Sequence, residues 1–339
     1  MTEKLADIAQ RMVSPGKGIL AADESTGSIA KRLESINTPS TEESRRDYRE
    51  MLFTATDAMK NCISGVILYD ETLRQKSKNG TALVDVIKAT GAVPGIKLDT
   101  GAKPLALSPG ETITEGLDGL TARVAEYAKL GAQFAKWRAV IDIGKGIPSH
   151  NAIHANAHAL ARYAAICQAG GIVPMVEPEV LMDGDHDIDA CAMVTEWVLK
   201  EQFQELYYAS VQLEGIILKP NMVISGKKSA KQASRQEVAE KTLKVLKRCV
   251  PAAVPGIAFL SGGQSSEDAT AHLHHMNAAG PLPWTLTFSY GRALQADALK
   301  AWAGKSENIA AGQRAFSHRA RMNAFAASGK WAQSLEKAA

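Results

Sequence analysis

Asp23, Lys97, Lys136, Glu177 and Lys219 each sit in or directly after a short apolar run: Gly18–Ala22, Val93–Leu98, Ala132–Trp137, Ile172–Val176 and Gly215–Leu218. A buried strand does not carry charge unless that charge is paired or at work. An amine in a low-dielectric site is disfavoured as ammonium, and a neighbouring cation disfavours it further. A neutral amine attacks carbonyl carbon, so Schiff-base chemistry is open to Lys97, Lys136 and Lys219. Lys219 is the best placed, because it directly follows Ile216-Ile217-Leu218 and precedes Pro220, which fixes the exit. Glu177, Glu179 and Asp23 are carboxylates suited to forming and dehydrating a carbinolamine and to moving protons.

Side chains two apart on a strand share a face, so Lys136 and Arg138 point the same way. Glu177 and Glu179 do too if the strand stays extended through Pro178. Two glycine turns add an anion site. Ser261-Gly262-Gly263 and Ser289-Tyr290-Gly291-Arg292 follow the apolar runs Gly256–Leu260 and Trp284–Phe288. Exposed backbone N–H groups approach phosphate oxygens there, and Arg292 pairs with them bidentately. Either turn alone is no more than a tight loop; both at consecutive run ends are a signal. Lys97 and Arg138, beside Ser25 and Ser28, suit a second phosphate. A substrate with a phosphate at each end and a ketone near one of them satisfies every group.

These residues are scattered from Asp23 to Arg292, so a fold must bring them together. The runs named so far, with Gly65–Tyr69, make eight strand candidates, none with clean in/out alternation. Between them lie stretches with helical patterning, among them 41–60, 151–169, 190–210, 235–248 and 266–279. Thr41-Glu42-Glu43-Ser44 and Ser265-Ser266-Glu267-Asp268 read as helix starts, and Gly131 and Gly170-Gly171 as helix ends. Repeated β–α units without a linker predict an α/β fold, a single (β/α)8 TIM barrel. The alternative is an open sheet with a second domain. One domain is expected over 1–339, with the barrel at about 15–303, a short N-terminal helix and a helical tail at about 304–339. In such a barrel the strand C-termini converge on one mouth, where active sites lie. A buried ion-pair network is the competing explanation for any one charge; opposed charges on most strand ends favour a catalytic mouth.

Composition sets limits without naming a chemistry. The 339 residues carry 39 Lys and Arg against 36 Asp and Glu, a net +3. That balance argues against nucleic acid or a polybasic membrane surface as partner. No apolar run nears the roughly 20 residues of a membrane span, and the charged start Met1–Asp7 is not expected to act as a secretory signal. The 4 cysteines are far apart, with no C-x-x-C pair. Free thiols in a reducing, cytoplasmic setting are expected.

The six stretches Gly18–Ile29, Lys136–Arg138, Val176–Leu181, Leu218–Val223, Phe259–Gln264 and Phe288–Gln295 together resemble the class I fructose-bisphosphate aldolases, in family order and across nearly the whole chain. The resemblance implies reversible retro-aldol cleavage of fructose 1,6-bisphosphate to dihydroxyacetone phosphate and glyceraldehyde 3-phosphate, in glycolysis and gluconeogenesis. It implies Lys219 as the Schiff-base lysine at C2, Glu177 as acid/base for the carbinolamine, and Glu179 in the electrostatic network beside Lys219. Asp23 takes the base role at the C4 hydroxyl, and Lys136 holds positive charge near the nascent imine. Ser261, Gly262, Ser289, Gly291 and Arg292 fall at the C1 phosphate. Ser25, Ser28, Lys97 and Arg138 fall at or near the C6 phosphate, with Arg32 a mobile phosphate contact. No cofactor and no metal are expected, since the protonated imine is the electron sink. A homotetramer is implied by resemblance alone. A transaldolase-like lyase of the same barrel is the nearest rival, and a non-catalytic scaffold the rival of another class.

One departure matters. Animal-type members end in a tail whose terminal Tyr assists proton transfer on the enamine, whereas this sequence ends Ser334-Leu335-Glu336-Lys337-Ala338-Ala339. Trp331 has no suitable acidic proton, so enamine reprotonation is expected to limit turnover. Deuterium exchange at C3 of dihydroxyacetone phosphate should then run no faster than cleavage; exchange far outpacing cleavage contradicts the expectation. His150, His154 and His158 have metal-ligand spacing, but on a helix start rather than a strand end, so their face is expected to meet solvent or a subunit. His272, His274 and His275 are expected to do the same. The basic runs Lys227–Lys231 and Lys241–Arg248 are expected to be a solvated loop and helix face.

Overall fold

Every apolar run lies within or overlaps a strand in the computed structural model, which describes residues 4–337. The strands are β1 Gly18–Ala22, β2 Ile63–Leu68, β3 Val93–Lys97, β4 Gly101–Pro104, β5 Thr112–Glu115, β6 Phe134–Ile141, β7 Val173–Val180, β8 Ile217–Leu218, β9 Gly256–Phe259 and β10 Thr285–Tyr290. Eight of them close into a barrel in the order β1-β10-β9-β8-β7-β6-β3-β2. Neighbours run parallel throughout, including the closing pair β1 and β2. The expected TIM barrel is therefore the fold. The antiparallel hairpin of β4 and β5 lies outside it. The first segment, Gly-Ala-Lys-Pro, is mostly exposed and the second, Thr-Ile-Thr-Glu, mostly polar, so no apolar run announces them in the sequence.

The barrel interior is filled by period-2 positions. Ile19, Ala21, Ile67, Val93, Phe134, Val173, Met175, Ile217 and Ala258 form one buried cluster. Ile8, Ala9 and Met12 of the helix Leu5–Met12 join it, so the predicted N-terminal helix stoppers the end where the strands begin. Gly95 is required here: a Cβ on it would lie 2.3 Å from Phe134 Cζ, so the ring occupies the missing side chain's space. A larger cluster joins the outer strand faces to the surrounding helices.

Helices start where the capping residues stand. Thr41 and Ser44 form a reciprocal capping box, and Ser265 Oγ accepts from Asp268 N at 3.0 Å. Gly131 and Gly171 take φ of +100° and +77° just beyond helix ends, the left-handed region that favours glycine. The stretch 41–60 is two helices, Glu42–Phe53 and Thr56–Asn61. The tail carries the helix Ile309–Ala327 and adds no strand. Its end is clamped by Arg319, which donates to both carboxylate oxygens of Glu336 at 3.0 and 2.8 Å, and Trp331 is buried. Residues 338–339, the last positions in the comparison of chain ends, lie outside the described residues, as do residues 1–3 of the N-terminal segment. No helix among the described residues is long and apolar enough to cross a membrane.

Candidate active site

The inward positions that are apolar at the bottom of the barrel become charged at its top. Along β6 the series runs Phe134, Lys136, Arg138; along β7 it runs Val173, Met175, Glu177, Glu179. Beyond β1 it reaches Asp23, and just past β8 it reaches Lys219. Register places Lys97 opposite Lys136 and Arg138 opposite Glu177. These side chains line one cleft of about 520 Å³ at the C-terminal strand ends. Every candidate named from sequence lines it: Asp23, Ser25, Ser28, Arg32, Lys97, Lys136, Arg138, Glu177, Glu179, Lys219, Ser261, Gly262, Ser289, Gly291 and Arg292.

A continuous chain of charge crosses the floor. Lys219 Nζ lies 3.1 Å from Glu177 Oε1. Glu177 Oε2 lies 3.3 Å from Lys136 Nζ, which lies 2.9 Å from Asp23 Oδ2 and 3.8 Å from Asp99 Oδ2. Lys97 Nζ meets the other oxygen of Asp99 at 3.2 Å. Lys136, Glu177 and Lys219 are each only 4% exposed, so water screens these contacts little. Burial alone would raise the Asp23 carboxyl, but Lys136, Lys219 and Lys97 overturn it and hold the group at about 2. Burial would likewise raise Glu177, yet Lys136, Lys219 and Arg138 keep it below the usual carboxylate range. Burial would lower Lys136, but Asp23, Glu177 and Asp99 raise it well above an ordinary lysine. Lys136 is thus a fixed cation, and Asp23 and Glu177 are carboxylates at neutral pH in the resting cleft. Arg138 Nε donates to Glu179 Oε2 and is likewise held charged.

Two anion-ready rims flank this floor. On one, Gly262 and Gly263 take φ of +55° and +82°, and Gly291 opens the helix Arg292–Trp302. Successive turn N–H groups and a helix N-terminus both favour anions. Ser289 Oγ is buried and has no hydrogen-bond partner among the described residues. On the other rim, Ser25 caps the helix Thr26–Glu34 and its Oγ lies 3.1 Å from Ser28 Oγ, near Lys97 and Arg138. Arg32 leans toward the first rim: its Nη2 lies 3.6 Å from where a Cβ on Gly291 would stand, while Nη1 pairs with Glu24.

Three features escape the sequence. Glu24 is buried between Arg32, Arg49 and Gln295. Asp99, visible only as a charge after Lys97, is the second anion of Lys136. Lys227 lies exposed on a loop, as expected, yet it also lines the cleft and pairs with Asp183 at 2.7 Å. The loops after β7 and β8 bond through Lys227 N to Met182 O at 2.7 Å and Lys228 N to Gly184 O at 3.0 Å, which sets this lysine at the cleft edge. A run of lysines in sequence carries no sign of that pairing. His272 is also not at the surface. It is buried, burial lowers it to about 4, and its Nδ1 meets Gln264 Oε1 at 2.6 Å. Gln264 Nε2 in turn donates to Ser261 O at 3.0 Å, bracing the glycine turn. His154 and His158 face neighbouring glutamates rather than solvent alone.

Among the described residues, the imidazole and carboxylate donors grouped at metal-ligand spacing are His154, Glu201 and Glu205, on outer helices rather than in the cleft. The cleft instead offers a buried amine, a buried acid/base, a second carboxylate and two rims for phosphate.

The family described as fructose-bisphosphate aldolase class-I matches residues 4–339. The protein named "Probable fructose-bisphosphate aldolase class 1" of Xanthomonas axonopodis pv. citri is 58% identical over 330 residues, 97% of this chain and 98% of its own length. Fructose-bisphosphate aldolase C of Carassius auratus is 56% identical over 333 residues, 98% of this chain and 92% of its own. The solved fructose-bisphosphate aldolase of Plasmodium falciparum, in complex with TRAP and a small-molecule inhibitor, superposes with a TM-score of 0.94 at 48% identity, covering 97% of this chain and 95% of that one. With barrel, cleft and sequence in agreement, the chain belongs to the class I fructose-bisphosphate aldolase family.

Proposed function

We propose that this cleft cleaves fructose 1,6-bisphosphate with Lys219 as nucleophile. Lys219 Nζ attacks C2, Glu177 takes the proton that the nitrogen gives up and returns it to the carbinolamine hydroxyl, which leaves as water, and an iminium remains. Asp23 then takes the C4 hydroxyl proton as the C3–C4 bond breaks. The bonding electrons flow into the iminium, leaving an enamine and releasing glyceraldehyde 3-phosphate. Protonation at C3 and hydrolysis of the imine release dihydroxyacetone phosphate. A carboxylate held at about 2 is a weak base, so its proton transfer runs together with the bond cleavage rather than ahead of it. Lys136 keeps Asp23 and Glu177 ionised in the resting cleft, where each is ready to accept a proton. The observation that carries this reading is the unbroken chain Lys219–Glu177–Lys136–Asp23. Borohydride reduction in the presence of dihydroxyacetone phosphate should place a covalent adduct on Lys219, with activity indifferent to chelators. Chelator-sensitive cleavage without an adduct refutes it.

Ser261, Gly262, Ser289, Gly291 and Arg292 hold the C1 phosphate; Ser25, Ser28, Lys97 and Arg138 hold the C6 phosphate. Arg32, beside Gly291, serves the C1 side. Lys227 Nζ lies 2.9 Å and Arg292 Nη2 3.0 Å from where a Cβ on Gly263 would stand, so both cations border that phosphate. Lys227→Met should raise KM for fructose 1,6-bisphosphate about fivefold with kcat nearly unchanged, the worth of a part-exposed charge contact of about 1 kcal/mol. Fructose 1-phosphate, which carries that phosphate alone, should suffer equally. An unaffected KM for fructose 1-phosphate would remove Lys227 from the C1 site.

The chain is read as one domain, since β1 to β10 bracket a single closed barrel and the tail helix Ile309–Ala327 lies against the helix Arg292–Trp302. A homotetramer is supported by the exposed Met193, Tyr207 and Tyr208 on the helix Ile188–Tyr208, apolar surface suited to subunit contact. A cytoplasmic setting is supported by the free cysteines Cys62, Cys167, Cys191 and Cys249.

A further inference from the structure

We propose that a groove on the outer helix layer, away from the catalytic cleft, is a binding site for a divalent transition-metal ion of the zinc type, formed by His154, His158, Glu201 and Glu205. The helices His150–Ala169 and Ile188–Tyr208 lie side by side. Each presents two donors four residues apart, and that spacing stacks side chains one turn above another on a single helix face. The two faces meet. His154 Nδ1 lies 2.7 Å from Glu201 Oε1 and 3.6 Å from Glu205 Oε1. His158 Nδ1 lies 2.8 Å from Glu205 Oε2. The Glu205 carboxylate therefore spans both imidazoles with one oxygen each.

The geometry is close to what a metal needs. Ligand atoms of His154, Glu201 and Glu205 all fall within 4.8 Å of one another. A tetrahedral ion with bonds of about 2.0–2.1 Å sets its donors about 3.3–3.4 Å apart. The His–Glu separations of 2.7, 2.8 and 3.6 Å bracket that value, and His158, outside that three-residue group, completes the set by side-chain rotation toward it. The rings of His154 and His158 are already aligned, with centroids 6.3 Å apart and planes inclined by 26°. Glu205 is buried, which limits the freedom that coordination would have to remove. Imidazole nitrogen with carboxylate oxygen is a donor set for zinc-like ions rather than for calcium or magnesium.

None of the four residues lines the cleft. The ion would tie two helices of the outer layer together and leave the amine chemistry untouched. A competing description is a plain ladder of imidazole–carboxylate hydrogen bonds without metal.

The test uses the full chain stripped with chelator, dialysed and titrated calorimetrically with zinc chloride at neutral pH. One ion per chain is expected, with affinity reduced about 100-fold in His154→Ala and in Glu205→Gln. Glu205 is buried, so Glu201→Gln at the groove edge provides a second variant that leaves the buried pairing intact; it too should weaken binding at least tenfold. Cobalt substituted into the unaltered protein should give the visible absorption of a tetrahedral nitrogen–oxygen site. Aldolase activity should be the same with and without the ion. Absence of stoichiometric uptake, or uptake that the His154 and Glu201 substitutions leave unchanged, overturns the proposal.

Discussion

Lys219→Met is expected to lower kcat for fructose 1,6-bisphosphate by on the order of 10⁴-fold or more, with the fold retained. Covalent catalysis divides one difficult bond cleavage into easier steps, and no step proceeds without the amine. Methionine keeps the length and apolar stem of the side chain, so the local packing against β8 survives. One donor is lost: Glu177 Oε1 no longer has the amine at 3.1 Å, while Oε2 keeps Lys136 at 3.3 Å. That costs about 1–3 kcal/mol of stability, small beside the loss of activity. Two measurements separate chemistry from folding. Circular dichroism should match the parent, and borohydride trapping should leave no adduct anywhere in the variant. An adduct that moves to Lys97 or Lys136, or activity within tenfold of the parent, would assign the nucleophile elsewhere.

Lys136→Met should be the most damaging change to stability within the cleft. Lys136 faces Asp23 at 2.9 Å, Glu177 at 3.3 Å and Asp99 at 3.8 Å, all of them at least half enclosed by the barrel mouth. Glu177 retains Lys219 and Asp99 retains Lys97, but the Asp23 carboxylate loses its direct partner. Breaking a buried pair by removing one partner costs about 3–5 kcal/mol. The pH dependence has a definite sign. In the parent, Asp23 is held at about 2 against an ordinary 3.8, so it adds stability above the ordinary value that is lost as pH falls toward 2. Without Lys136, burial dominates and raises the group instead. Its contribution then favours the folded state at acid pH and is lost as pH rises. The stability gap between parent and variant should therefore be widest at neutral pH and narrow as pH falls through the raised value and on toward 2. The acid limb of kcat/KM should move to higher pH, since Asp23 must be a carboxylate to act, and kcat should fall on the order of 10²–10³-fold. Urea unfolding at two pH values and a pH–rate profile test both. Equal unfolding midpoints at pH 7 with an unmoved acid limb would mean that Lys136 does not hold these carboxylates.

Much of the cleft is legible in the sequence for one physical reason. Charge inside a short apolar run is costly, so Lys136 in Phe134-Ala135-Lys136-Trp137 and Lys219 after Ile216-Ile217-Leu218 mark working positions before any fold is known. Period 2 then assigns Lys136 with Arg138 and Glu177 with Glu179 to shared faces, and both pairs do line the cleft. The barrel is legible because parallel strands buried on both faces read as unbroken apolar runs. The hairpin of β4 and β5 is not, because β4 is short and mostly exposed and β5 mostly polar, so neither forms an apolar run. Lys227 is not either. It sits among Lys228 and Lys231 as an exposed charge, and only the loop-to-loop bonds with Met182 and Gly184 set it at the cleft edge.

By itself, then, the sequence determined the kinds of group available, the strand and helix alternation, and the family motifs that give them roles. Only the tertiary structure decided which amine meets which acid. It set Glu177 between Lys219 and Lys136, gave Lys136 two further carboxylates, swung Arg32 toward Gly291 and faced His154 toward Glu201. Residue type is local, whereas pairing depends on how a closed barrel brings distant strand ends within a few ångströms, and electrostatic energy falls away with that distance.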